Sequence, residues 1–518
     1  MQTISSKNTQ FYPSIIQDYL EGKLHSIANI AHGLNWAELQ AKKEIKKASY
    51  THRTILVEVL QKQYQDFTLV EEVKNNITAL GQSNTFTITT GHQLSLFRGP
   101  MFFVTKILEL VKYCDEAKNN NLQLVPVFWM ATEDHDLAEI NHFNLFGKKY
   151  EWDIEGKVAT GRLSTAGLAQ LFSQVPDFPD WLSACYTSSK TLSEATRKLV
   201  SHLFGQYGLV IVDGDDKLLK SLFFRQIEKD ILETKYAPIL RESTRKIEKA
   251  GYKAQAYVRE CNFFYLGEGF RERIEFSSEN EPQFRVLNRE VSFTKQELQS
   301  LIRSKPELFS PNVLLRPLYQ ESILPNLAYV GGPGEIAYWF QLKDMFESEN
   351  IPLPVLFPRK IATLVSKDEK KKMDLAGLQL ADFFLNEEQF REKLWQVLQV
   401  KHDEFEEENA LLESLKQRLL RKAAEADKSL ASAVEAEMAK TSKSMGDLQK
   451  RLNKAHENRF QIQIKQLQKL RSKFLPEGHL QERHENFLNY YLRQPQLMEL
   501  LHDVFQPFSF EMEFVVYD

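Results

Sequence analysis

The pattern of apolar and polar positions divides this chain into three stretches. Residues 1–84 are polar and read as helical, with amphipathic patches such as WAELQAKKEIKKA and ILVEVLQKQYQ. From residue 85 the period changes. TFTITT (Thr85 to Thr90) is rich in β-branched residues and predicts a strand. GHQLSLFRGP then predicts a loop, and MFFVTKILELVKYCDEA an amphipathic helix opened by Pro100. LQLVPVFWMA (Leu122 to Ala131) is nearly all apolar, as a strand covered on both faces must be. GLVIVDGDD (Gly208 to Asp216), LAYVGGPGEIAYWFQL (Leu327 to Leu342) and PLPVLFPRKIATLV repeat the theme of a buried strand followed by a polar turn. The fold class is therefore α/β, with a doubly wound parallel sheet. Glu151 to Lys190 and Gly251 to Arg303 are mixed in pattern and read as irregular insertions.

The third stretch has no proline between Pro358 and Pro476, and its residues favour helix. Leu398, Phe405, Leu412 and Leu419 recur every seven residues, and Met445, Leu448, Leu452 and Ala455 step by three and four. These are coiled-coil intervals, although Lys401 and Glu408 interrupt the seam. One straight helix of ~100 residues would reach roughly 150 Å. A hairpin is expected instead, turning within AEADKSLASAVEAEMAKTSKS. A two-helix arm buries little surface alone, so a homodimer through the coiled coil is expected. The expected organisation is a helical N-terminal region packing on the core (1–84), a first half-core (85–150) and an insertion (151–200). A core continuation (201–250), a second insertion (251–305) and a second half-core (306–380) follow. The arm (381–475) and a segment returning to the core (476–518) complete it.

Composition narrows the function classes. With 66 Lys and Arg against 70 Asp and Glu, the net charge of -4 offers no global attraction for nucleic acid or an anionic membrane. The densest apolar run is far short of the ~20 residues of a membrane span, and the N-terminus lacks the apolar region of a signal peptide. Cys114, Cys185 and Cys261 are scattered and form no CxxC, which argues against a disulfide framework and a thiolate zinc site. A cytoplasmic enzyme of small molecules is the expectation.

In open parallel sheets ligands bind at the carboxyl ends of strands, and three polar clusters fall there. The first is Thr90, Gly91, His92 and Gln93 with Gly99 beyond; glycine allows close approach and an imidazole can stabilise developing charge. The second is Glu133, Asp134, His135 and Asp136, followed by Asn141 and His142. Crowded ionisable groups after a buried strand suit acid–base work. Their spacing matches no standard zinc pattern, so no metal ligand is assigned. The third comprises Arg316, Gln320, Tyr329, Gly331, Gly332, Gly334, Glu335 and Tyr338, with Arg359 downstream. Its glycines lack the spacing of a P-loop or of GxGxxG, while its arginines are natural carboxylate or phosphate clamps. Lys440-Thr441-Ser442-Lys443-Ser444 looks like the KMSKS loop of class I aminoacyl-tRNA synthetases, but it falls in the arm and reads as a solvated helical turn.

The strings TTGHQLSLFRGP, VPVFWMATEDHDLAEINH, LLRPLYQESILPNLAYVGGPGEIAYWFQL, PLPVLFPRK and FLPEGHLQERHENFLNYY, in this order, resemble BshC, the cysteine-adding enzyme family of bacillithiol biosynthesis. The resemblance implies a Rossmann-like core with connecting-peptide insertions, a C-terminal coiled coil that supports dimers, and ligation of L-cysteine to the amino group of glucosaminyl malate. It places the family's polar strings at Gly91 to Gln93, Glu133 to Asp136, Asn141, His142, Arg316, Gln320, Gly331 to Glu335 and Tyr338. Many relatives carry TGQQ where this chain has TGHQ. Amide formation from a carboxylate needs an activated acyl donor, so ATP with magnesium is the expected co-substrate and zinc is not. His92, with the helix after Pro100, is expected to face phosphate, Arg316 or Arg359 the malate carboxylates, and the Glu133–Asp136 cluster the attacking amine. Two other readings are an adenylating, nucleotidyltransferase-like enzyme for another small substrate, and a non-catalytic coiled-coil scaffold.

Overall fold

The computed structural model describes residues 2–5, 11–25, 33–156, 158–176, 178–276, 284–401 and 403–518. Parts of the expected N-terminal region (6–10, 26–32) and of the second insertion (277–283) lie outside the described residues. Five strands form the core sheet: β1 (Thr85–His92), β2 (Gln123–Met130), β3 (Val210–Asp213), β4 (Asn326–Gly331) and β5 (Val355–Pro358). All neighbours are parallel, in the order β5-β4-β1-β2-β3. This is a Rossmann-like order, and it reverses direction between β1 and β4, where such folds open a ligand crevice.

Each strand is buried for a visible reason. From Leu124 to Met130 every β2 side chain is covered. Each large apolar side chain so covered gains about 1.5–3 kcal/mol. Strand β1 instead carries buried threonines, which is tolerable because the Thr87 and Thr89 hydroxyls donate to Asn326 Oδ1 at 3.0 and 2.8 Å. The strand runs two residues beyond the expected TFTITT, so Gly91 and His92 end it rather than open a loop. Register aligns His92 with Met130, Met130 with Asp213, and Gly331 with Pro358, which brings the polar clusters to one edge of the sheet.

Helix α1 (Phe102–Lys118) joins β1 to β2 and is buried on most of its surface, including Lys106 and Glu109. Helices α2 (Arg316–Ile323) and α3 (Pro333–Trp339) flank β4. The stretch from Glu151 to Lys190 is mostly irregular, with two short helices, Leu168–Phe172 and Asp180–Thr187, and a longer helix crosses residue 200 as Leu192–Phe204. The stretch read as a second irregular insertion is ordered. Phe263–Gly267, Phe270–Phe276, Phe284–Val286 and Ser292–Phe293 join Phe309–Pro311 in a five-stranded antiparallel sheet. Short strand lengths and charged alternation, as in FRERIEF, hid it from a search for apolar runs.

The chain forms two compact units, residues 1–363 with 481–515, and residues 364–480 with 516–518. In the first, Gln2 to Ile4 pair antiparallel with Met512 to Phe514. In the second, α4 (Glu406–Ala426) and α5 (Ala431–Asn458) form a hairpin turning at 427–430, inside the expected segment. Asp403 anchors its base, its Oδ2 lying 2.9 Å from His456 Nε2. Ala423 and Met438 are buried, whereas Leu411, Leu415, Leu419, Leu448 and Leu452 are exposed. The KMSKS-like segment lies within α5.

Candidate active site

A cavity of about 820 Å³ opens at the carboxyl ends of β1, β2 and β4. It collects Gly91, His92 and Gln93 from the first cluster, and Glu133, Asp134 and His135 from the second. Arg316, Tyr329, Gly332, Gly334, Glu335, Tyr338 and Arg359 come from the third. A smaller chamber of about 320 Å³ shares His92, Gln93, Phe102 and Arg483 with it, and adds Gly99, Glu139, His142 and His484.

Other expected residues serve elsewhere. Asp136 is solvent-exposed and borders neither cavity, because its loop turns outward after His135. Asn141 ties its own hairpin to Trp152, accepting that residue's N–H at 2.7 Å through its carbonyl. Thr90 is buried, its hydroxyl donating to the Val330 carbonyl at 2.8 Å. Gly331 is required by packing, since a Cβ there would lie 2.7 Å from Ile336 Cδ1. Gln320 stands behind Arg316 rather than in the cavity.

Between β1 and β4 the arrangement is cationic and crowded. Gly91 leaves room for its neighbours, because a Cβ would lie 3.0 Å from the Tyr329 hydroxyl. Lys106 Nζ donates to the Gly91 carbonyl at 2.9 Å and to Glu335 Oε2 at 3.1 Å. Burial pushes the Lys106 ammonium down, and Glu335 opposes that. Tyr329 donates to Glu335 Oε1, and the Gly332 N–H to Oε2. Burial would raise the Glu335 carboxyl, but Lys106 and Arg316 outweigh it and hold it below its usual value. Arg359, expected as a clamp, is taken up by a buried ion pair with Glu482 and by the Lys360 carbonyl. Gly332 and Gly334 have open space where a Cβ would stand.

At the end of β2 the three ionisable groups are distinct. Glu133 pairs with buried Lys220, and burial raises its carboxyl. Asp134 accepts the His135 N–H at 2.7 Å through Oδ1 and the Gln93 amide at 3.1 Å through Oδ2. His135 Nδ1 faces Arg271 Nη1. A guanidinium can only donate, so Nδ1 holds the lone pair and Nε2 the proton. His92 Nδ1 faces the Gln93 carbonyl at 2.9 Å, so there the assignment is reversed and Nε2 carries the lone pair. Of the anion site expected before α1, the Met101 N–H is spent on the Glu485 carbonyl.

Several lining residues were missed in the sequence. Lys106 interrupts an apolar helical turn, a visible signal. Arg271 and Arg273 alternate along one face of Phe270–Phe276. Arg483 comes from HLQERHENF, quoted for its resemblance only. With Arg259, Arg316 and Arg359 these make seven basic side chains against the carboxylates Glu133, Asp134 and Glu335. On a chain of net charge -4, the positive charge is local to the cavity. Among the described residues, no group of three or more His, Cys, Asp or Glu converges as a metal site would, and no helix is long and apolar enough to cross a membrane.

Comparison with known proteins gives consistent results. The model of the bacillithiol biosynthesis BshC N-terminal Rossmann-like domain matches residues 1–360, and that of the BshC C-terminal coiled-coil domain matches residues 362–517. A protein of Cytophaga hutchinsonii named "Putative cysteine ligase BshC" is 39% identical over 520 residues, covering 100% of this chain and 99% of the relative. One of Flavobacterium johnsoniae with the same name is 37% identical over 526 residues, covering 99% and 98%. A Geobacillus relative, again so named, is 28% identical over 511 residues, covering 91% and 92%.

Proposed function

Because this chain belongs to the BshC family of bacillithiol biosynthesis, matched across both of that family's domains, we propose that this ligase joins L-cysteine to the amino group of glucosaminyl malate through an activated cysteinyl carboxylate. The basic cavity supports an acceptor with two carboxylates, since charge-assisted contacts to a carboxylate are strongest where water is excluded. Arg316 suits the malyl group better than Arg359, whose charge is neutralised by Glu482.

In the bond-forming step the neutral amine attacks the cysteinyl carbonyl carbon, the C–N bond forms, the bond to the leaving oxygen breaks, and nitrogen gives up a proton. Asp134 is the proton acceptor in this proposal, because Glu133 is tied to Lys220 and the lone pair of His135 is occupied by Arg271. His135 presents Nε2–H and serves as a donor to the acceptor's oxygens or to the carbonyl. ATP with magnesium, when bound, would supply activation of the carboxylate. Among the residues present, Arg483, which borders both chambers, fits phosphate oxygens; His92, whose Nε2 carries a lone pair, fits them only as an imidazolium.

Mass spectrometry on purified protein with glucosaminyl malate and cysteine, with and without ATP and magnesium, tests this. Product dependent on ATP, with AMP released, supports an adenylate; product without ATP overturns the activation step. No product from folded protein in either arm overturns the substrate assignment.

A further inference from the structure

The two terminal nitrogens of Arg316 are held differently. Nη1 donates to Gln320 Oε1 at 2.9 Å. Nη2 is buried without an acceptor in hydrogen-bonding geometry; Glu335 Oε1 lies 3.7 Å from it, and the Tyr338 side chain is the guanidinium's other polar neighbour. Glu335 is already hydrogen-bonded by Tyr329, Lys106 and the Gly332 N–H, and Arg316 attracts it across 3.7 Å without a hydrogen bond. An arginine nitrogen with unspent donor capacity, on a side chain that lines a cavity, calls for an oxygen ligand.

Behind it, the Gln320 amide is fixed at both ends. Its oxygen faces a group that can only donate. Its nitrogen donates to Glu321 Oε1 at 3.0 Å, a carboxylate oxygen also held by Asn326 Nδ2 at 2.7 Å. The amide therefore has one workable orientation. Glu321 is held in turn from the N-terminal helix Trp36–Ser49, where Lys46 Nζ donates to its carbonyl at 2.8 Å and lies 3.6 Å from Oε2. Gln320, Glu321, Asn326 and Lys46 are each no more than 2% exposed, so water cannot substitute for a lost partner.

We infer that Gln320 and Glu321 are positioning residues that hold the Arg316 guanidinium in place for a carboxylate of the acceptor and keep it from collapsing onto Glu335. This rests on the acceptor being glucosaminyl malate. Without the Gln320 oxygen, Nη1 loses its acceptor, and the guanidinium swings toward the carboxylate 3.7 Å away. The charge offered to a ligand is then cancelled inside the protein.

Calorimetric binding of glucosaminyl malate and of free malate to the full-length chain tests the inference, alongside steady-state kinetics. Gln320→Met keeps the side-chain volume and removes both hydrogen bonds; Gln320→Ala removes the side chain. Both are expected to weaken glucosaminyl malate by about tenfold or more, the scale of a lost hydrogen bond to a charged group. The KM for the acceptor should rise while kcat and the KM for cysteine move little. Gln320→Met added to Arg316→Ala should cost nothing further, since one acts through the other. Folded variants that bind the acceptor as wild type does, or effects that add, overturn the inference. Loss of the fold in both variants makes Gln320 structural alone and also overturns it. If wild type binds neither ligand, the substrate reading fails first, an outcome distinct from tight wild-type binding that the variants preserve.

Discussion

Arg359 Nη1 lies 2.6 Å from Glu482 Oε1, and both side chains are almost wholly withdrawn from solvent. Glu482 Oε2 also accepts the Ala362 N–H at 3.1 Å, so the pair fastens the segment after β5 to the chain's C-terminal return. Removing one partner strands a buried charge, whereas removing both does not. Arg359→Met is therefore expected to destabilise the protein by about 3–5 kcal/mol, and Arg359→Met with Glu482→Gln by clearly less. Denaturant unfolding of the single and double variants checks this. Equal losses would return Arg359 to the role of a ligand clamp.

Asp230 is buried against Asn262, whose N–H and side-chain amide it accepts at 2.6 and 3.0 Å. Burial pushes its carboxyl up to about 7, against the opposing pull of Asn262. A carboxyl raised in the folded state stabilises most when protonated. Its contribution is full below the unfolded value near 4 and is lost as pH climbs through about 7. The loss is at most ~1.4 kcal/mol per pH unit across that window. Asp230→Asn should flatten the fall in unfolding free energy between pH 4 and about 7, read from urea titrations at several pH values. An unchanged slope would remove Asp230 from the account.

Gly91 is held against Tyr329 and Arg316 by the absence of a side chain. Gly91→Ala places a methyl 3.0 Å from the Tyr329 hydroxyl, inside the contact that hydroxyl makes with Glu335. The expected result is a fall in turnover of about tenfold or more, the cost of about one displaced contact in a site set by fine positioning. The thermal midpoint should change little, because the strand's pairing is untouched. Near-wild-type turnover would show that Tyr329 and Arg316 are dispensable at their present positions.

The coiled-coil hairpin leaves Leu411, Leu415, Leu419, Leu448 and Leu452 exposed. Scattered exposed leucines are ordinary, but five on one hairpin with coiled-coil spacing are not. A second copy of the chain is the expected cover. Light scattering should give a dimer mass for wild type and a monomer for Leu415→Glu with Leu448→Glu. A monomeric wild type at micromolar concentration would refute self-association.

Much of the core was legible because parallel strands buried on both faces must be written as apolar runs. LVPVFWM and LAYVG could hardly be anything else, and the polar residues that follow such runs cluster because parallel register aligns their ends. Direction was not legible. Asp136 follows His135 in sequence yet turns to solvent, and Gly331 precedes Gly332 yet is needed by Ile336 rather than by a ligand. The roles of Lys106 and Arg271 were not legible for another reason. Each reaches the cavity from an element whose general pattern, amphipathic helix or alternating strand, has many meanings. Which lysine of a helix points at a neighbouring strand end is a property of packing, not of spacing.

The return of Gln481 to Val515 to the first unit has a consequence for how the protein is made. Glu482, which neutralises Arg359, and Glu513, which accepts from Lys360 at 2.9 Å, leave the ribosome only after the residues of the arm. The parallel sheet can form as soon as β5 emerges, yet Arg359 and Lys360, with only Glu109 beside them, stay without these two ion-pair partners until more than a hundred further residues, the whole hairpin included, have been translated. A nascent chain halted within the arm would carry a finished sheet but an unfinished cavity, because the Arg483 wall is made only after the arm.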